Sequence, residues 1–320
     1  MNPFKITFYL FLCCASFVDA KQVSFSKSAD KNYYNFNYQW LDHSNQQQSI
    51  SFALTKSALF EHFRDLKPYQ SEFAHKTIMH RLKKQLDEEP LNAAQAFFLQ
   101  KDGETIVQIK GQEDQQIALA YKKVKAIKQE ATKQYLQENY YQLFNTHDGE
   151  TGIKINHADV ANDSLVDFKH LKPIILDKIT AKTIRKVTDY VLGFVQSIPY
   201  STLESRVTSS GSGFNSPAKL LWENQGDCDS KVTLTATILR TLMPNVEMVM
   251  VYIDKHAFMG IAVPAKAGDT TLIHQGVTYL LAEPTGPALY KLGKIAPESE
   301  LAIDQGRYVA EVFYSDNNNS

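Results

Sequence analysis

Three cysteines stand in the chain, and two of them, Cys13 and Cys14, fall inside a segment patterned like a cleavable export signal. Lys5 precedes an apolar run from Ile6 to Val18, and Val18-Asp19-Ala20 offers small residues at the positions a signal peptidase reads. The run is shorter than the roughly 20 residues a spanning helix needs. Cleavage after Ala20 is therefore expected, with a mature chain from near Lys21, no stable membrane span after cleavage and a periplasmic or secreted location. Cys228 is then the one thiol left, and a chain with one thiol has no internal disulfide available to it. An apolar core has to hold the fold, and 320 residues with 43% hydrophobic content are enough for one large or two ordinary domains. The unpaired thiol itself is either buried and inert or chemically employed.

Charge narrows the partners. Thirty-four Lys plus Arg against 35 Asp plus Glu leave a net −1, so no positive excess exists to neutralise a phosphate backbone, and nucleic acid is not an expected partner. The interspersed Lys122, Lys123, Lys125 and Glu130 read as a solvated helix face. The remaining histidines do not cluster with acids at metal-site spacing, so neither a metal nor another cofactor is expected.

Along the chain, Tyr34, Phe36, Tyr38 and Trp40 alternate with polar residues, as do Ile50 and Phe52 beyond Asp42-His43-Ser44-Asn45. The pattern predicts a hairpin over residues 32–53, with Gln46-Gln47-Gln48 in a loop. A helix is expected over residues 72–86, with Phe73, Ile78 and Leu82 on its apolar face. Another is expected between Gly111 and Gly149, with Ile117, Tyr121, Val124, Ala131 and Tyr135 inward. The polar stretch Asn145 to Asn162 reads as a boundary. The expected organisation is a signal peptide at 1–20, a smaller α/β accessory domain at 21–165, a second domain at 166–314 and a frayed tail at 315–320.

The second domain carries the chemistry-bearing residues. Ile184, Val187, Val191, Phe194 and Val195 describe an amphipathic helix that stops at Ser197-Ile198-Pro199, and Thr208 to Gly213 reads as a flexible loop. Ser216-Pro217 opens a short helix that Gly226 can end, and Asp227 caps a longer one running toward Pro244. Cys228 thus falls in a first helical turn, where unpaired N–H groups and the helix dipole favour a thiolate. Strands are expected at 246–253, 257–263 and 276–283. They put His256 and Glu283 on neighbouring antiparallel strands, near enough for the carboxylate to orient the imidazole.

Gly226-Asp227-Cys228-Asp229 opening a helix, then His256, then Glu283 before Pro284-Thr285, with Ile198-Pro199-Tyr200 upstream, resembles the core of the transglutaminase-like cysteine enzymes, in particular their exported bacterial members. The resemblance covers about residues 177–295. It implies an α+β fold with a papain-like core, in which the cysteine helix packs on an antiparallel sheet carrying the histidine and the acid. It further implies Cys228 as nucleophile, His256 as base and Glu283 as the orienting acid, where many relatives have Asp. The backbone N–H of Cys228 would serve as an oxyanion donor, helped by a side chain from Trp222, Gln225 or Tyr200. The implied activity is acyl transfer from amide bonds of a protein or peptide substrate, with hydrolysis favoured over transamidation. The alternative is a catalytically silent binding or scaffolding module on the same fold.

Overall fold

The computed structural model describes residues 21–64, 66–205 and 213–314. The expected signal segment, the tail from residue 315 and residues 208–212 of the expected flexible loop lie outside the described residues. The chain opens with three antiparallel strands, β1 (Lys21–Ala29), β2 (Tyr33–Leu41) and β3 (Gln47–Thr55). The alternation that predicts the β2–β3 hairpin puts Phe36, Tyr38, Trp40, Ile50, Phe52 and Leu54 on one buried face. Asp42 closes the turn by accepting from the backbone N–H groups of Ser44 and Gln46. Gln47 and Gln48 belong to β3 rather than to a loop, because pairing with Leu41 and Trp40 extends the ladder to them. Strand β1 lacks such alternation and was not legible.

Next, the helices Ser71–Glu88 and Asp114–Glu138 flank a hairpin of β4 (Ala94–Lys101) and β5 (Glu104–Gly111). Both helices were expected, but Phe73 and Tyr121 point outward, at 60% and 63% exposure. Phe73 lies five residues before Ile78, about 140° around a helix of 3.6 residues per turn, so one face cannot bury both. Strands β6 (Tyr141–Asn145) and β7 (Thr151–Ile155) make a further hairpin, and the helix His157–Asp163 follows. The polar stretch expected to be a boundary is thus β7 and this helix. Its His157, Val160 and Ala161 are buried, and the Ala161 carbonyl accepts from the Thr237 hydroxyl.

The remaining strands are β8 (Met248–Ile253), β9 (His256–Ile261), β10 (Thr271–His274), β11 (Val277–Ala282) and β12 (Val309–Phe313). They form one antiparallel sheet in the order β10-β11-β9-β8-β12. Near-continuous apolar sequence in β8, β9 and β11 follows from burial of both faces. Met250, Met259 and Leu280 share a core with the helix Cys228–Leu242, while Val251, Phe258, Tyr279 and Leu281 pack with Ile295 and Ile303 on the other side. At Gly260 an added Cβ would lie 2.8 Å from the Tyr279 Cβ and 2.9 Å from Val249 Cγ2, so only glycine lets β9 sit this close. The architecture is α+β.

The core around the cysteine helix also takes in the first sheet. Trp40 and Phe194 have ring centroids 5.4 Å apart, and the Tyr38 hydroxyl donates to the Leu221 carbonyl at 2.9 Å. Residues 36–54 therefore share one core with residues 161–313, across the boundary expected at 165, whereas residues 74–141 bury separate clusters. Trp40→Ala should accordingly cost about 3–5 kcal/mol. The loss should appear as a lower urea midpoint in Trp222 fluorescence and in exposure of the Cys228 thiol together. A Cys228 transition that did not move would show that the first sheet folds independently.

Candidate active site

The cysteine helix begins where sequence chemistry places it. Asp227 is extended, and its carboxylate accepts the Ser230 N–H at 3.0 Å, the N-cap geometry. The short helix Pro217–Glu223 ends on Asn224 in the left-handed region (φ 51°), and not at Gly226 as expected. Gly226 instead bridges to Tyr200 in parallel: its N–H donates to the Pro199 carbonyl at 3.2 Å and its carbonyl accepts from Ser201 N–H at 3.1 Å. A Cβ there would come within 2.6 Å of Leu220 Cδ1. The Ile198-Pro199-Tyr200 element and the Gly226-Asp227-Cys228 element are therefore hydrogen-bonded neighbours.

A third segment joins them through Lys231, one turn into the helix. Its side chain is completely buried, and its ammonium donates to the Ile198 carbonyl and, at 2.6 Å, to the Thr285 carbonyl. Burial pulls its pKa down to about 7, with the Asp227 carboxylate acting in the opposite direction.

His256 and Glu283 stand at the ends of paired strands: β9 begins with His256, and Glu283 follows the last residue of β11. The histidine Nε2 lies 2.5 Å from Glu283 Oε1. Glu283 is only 3% exposed; its second oxygen accepts from the Ser299 hydroxyl at 3.2 Å. Gln196 braces the same residue from behind, donating to the Glu283 carbonyl at 2.7 Å and to the Tyr290 carbonyl at 2.9 Å. Desolvation lowers the pKa of His256, but the hydrogen bond and charge of Glu283 and the charge of Asp229 outweigh it, so the net shift is upward. With Nε2 committed to Glu283, proton exchange falls to Nδ1.

Cys228 lines a cleft of about 480 Å³ together with His256, Asp229, Tyr252, Phe144 and His147. Its sulfur lies 3.4 Å from Asp229 Oδ1 and also meets the backbone N–H of Ala257, the residue after His256. The first-turn position predicts a thiolate. In the resting arrangement the balance is reversed: burial, then the carboxylates of Asp229 and Asp227, push the thiol well above its ordinary range, against the Ala257 N–H. Asp227 is itself raised to about 7 by burial and by Asp229.

The three side chains considered for the oxyanion separate. Tyr200 is coupled electrostatically to Cys228, and its phenol pKa is raised by burial, then by Cys228, Asp227 and Asp229. Trp222 is held by the first sheet, with Lys27 Nζ 3.7 Å above its ring and Tyr34 at 4.4 Å between centroids. The backbone carbonyl of Gln225 accepts from Asn215 Nδ2 at 3.3 Å. Four residues were not singled out from sequence: Lys231, Gln196, Ser299 and His157. His157 Nε2 lies 3.6 Å from Asp229 Oδ2 and Nδ1 lies 3.0 Å from the Thr233 hydroxyl; burial drives its pKa down to about 4. The lysine carried a usable signal, a cation directly before the uncharged apolar and hydroxyl run Val232 to Leu239.

Among the described residues no group of three or more His, Cys, Asp or Glu side chains is placed to hold a metal ion, and no helix is long and apolar enough to cross a membrane. No protein-family model matches the chain, and neither curated proteins nor solved structures give a match.

Because Asp229 raises the thiol, Asp229→Asn should lower the midpoint of the rate–pH profile for Cys228 alkylation by iodoacetamide. At pH 7.5 the rate should rise about three- to tenfold, a tenfold change being about 1.4 kcal/mol. An unchanged midpoint would remove Asp229 from control of the sulfur.

Proposed function

We propose that the protein is an exported thiol-dependent acyl-transfer enzyme with a papain-like transglutaminase core, acting on amide bonds of protein or peptide substrates. The observation that carries this reading is the 2.5 Å contact between His256 and the buried Glu283 in the cleft that Cys228 also lines. A histidine oriented by an acid beside a thiol is the arrangement nucleophilic sulfur needs. The Cys228 sulfur attacks the amide carbonyl carbon while its proton passes to His256. As the C–N bond breaks, His256 returns that proton to the leaving amine, and a thioester remains. Water, deprotonated by His256, then attacks the thioester; the C–S bond breaks, the carboxylic acid leaves and the thiol re-forms. An amine in place of water would give transamidation. Hydrolysis is the outcome we favour, as the resemblance to exported members of the superfamily implies. The Cys228 and Tyr200 groups are the oxyanion donors in this scheme, and no cofactor enters it.

One observation favours a second reading, a silent binding module on the same fold: burial, and after it the carboxylates of Asp229 and Asp227, push the thiol pKa upward. The two separate by experiment. Cleavage of a peptide library by the purified protein, read by mass spectrometry, should vanish in Cys228→Ala. Its rate should rise with pH through the raised pKa of His256, since only the neutral imidazole takes the thiol proton. Glu283→Gln keeps the shape but removes the charge, so it should lower the His256 pKa and reduce the rate by about a hundredfold or more. Absence of cleavage, together with Cys228 alkylation rates indifferent to His256→Ala and Glu283→Gln, would leave the binding module.

A further inference from the structure

One wall of the Cys228 cleft comes from far upstream in the chain. Phe144, at the end of β6, and Thr146, His147, Asp148 and Glu150, in the turn before β7, all face the space that Cys228 and His256 line. The β6–β7 hairpin is a separate two-stranded sheet and makes no ladder with the five-stranded sheet beneath it. What fastens its middle is a charged clasp. Lys154 of β7 pairs with Glu311 of β12 at 2.5 Å, and Gln142 of β6 donates to the same carboxylate oxygen at 2.9 Å. The Lys154 ammonium also sits 3.5 Å from the centre of the Tyr252 ring and 4.6 Å from that of Phe144, which in turn stack edgewise at 5.3 Å. Lys154 is largely buried, at 16% side-chain exposure. A desolvated cation held by a carboxylate and two aromatic faces is a stronger tether than a surface ion pair.

We propose that the β6–β7 hairpin is the polypeptide-engaging wall of the cleft, and that Lys154 is the positioning residue that holds it over Cys228. This rests on the thiol-enzyme reading for its purpose, but not for its test. A small electrophile reaches the sulfur without needing a wall, whereas a peptide has to be laid against one. Chloroacetamide and a chloroacetyl-capped mixture of random heptapeptides carry the same reactive carbon: in each the Cys228 sulfur forms a C–S bond as chloride leaves. The ratio of their rates at Cys228, read by mass spectrometry, isolates recognition from thiol chemistry.

The wild-type protein should label with the peptides at least tenfold faster than with chloroacetamide. Lys154→Met, which keeps the stem and loses the charge, should cut the peptide rate about tenfold and leave the chloroacetamide rate within about twofold. Lys154→Arg should restore the peptide rate, because it keeps the pairing with Glu311 and the aromatic faces. Phe144→Ser, which removes one aromatic face from Lys154 and part of the wall but leaves the ion pair with Glu311, should lower the ratio in the same direction. A wild-type ratio near one would overturn the proposal, as would a ratio unchanged in Lys154→Met and Phe144→Ser or equal loss of both rates. Failure of the enzyme reading looks different: a chloroacetamide rate that does not fall in His256→Ala, whatever the ratio.

Discussion

A buried ammonium organises this molecule. Lys231 has no solvent contact, and its hydrogen bonds end on two carbonyls from segments 33 and 54 residues away. A cation in such a place is costly unless its donors are satisfied, and removal of a partner leaves the penalty without the return. The carbonyls of Ile198 and Thr285 are therefore held at fixed points relative to the first turn of the cysteine helix. Through Ile198 the anchor sets the strand that bridges to Gly226; through Thr285 it sets the turn that follows Glu283. The cysteine helix is thus tied to the turn that follows Glu283 by its own Lys231.

Carboxylates act on two groups of the site, raising the pKa of the imidazole and of the thiol alike. Glu283, dry and braced by Ser299 and Gln196, favours the charged imidazole. Burial, and after it Asp229 and Asp227, disfavours the charged sulfur. Both sets of carboxylates act in the same sense on their neighbours, and the outcome is a resting thiol beside a basic histidine, not a preformed ion pair. In the proposed reaction the proton would then move when substrate arrives, with no standing thiolate exposed to oxidants.

What could be read from the sequence follows local physics. The cap at Asp227, the stop at Ile198-Pro199 and the period-two run through Trp40 are written in contiguous residues, and each stands where it was expected. His256 and Glu283 were legible as residues at strand ends, but their pairing is not a hairpin contact: β10 lies between β9 and β11 in the chain and pairs on the far side of β11. The rest depended on contacts between distant residues. Trp222 next to the cysteine helix reads as a site residue until the first sheet, almost 200 residues earlier, lays Lys27 over its ring. Asn145 to Asn162 reads as a linker because its polar residues find their partners, Glu311, Asp229 and Thr233, only in the folded chain. The upward shift of the thiol is of the same kind: the helix start was visible, the desolvation was not.

The first sheet also imposes an order of events on synthesis. A chain made from its N-terminus presents Phe36, Trp40, Phe52 and Leu54 early, yet their partners Phe194 and Leu221 are made more than 130 residues later. During that interval a three-stranded sheet with a bare aromatic face has nothing of its own chain to cover it. Such a face is sticky, and closing so long a loop is slow. Burial of this face is therefore a late step of folding, completed only when the helices that carry Phe194 and Leu221 are in place.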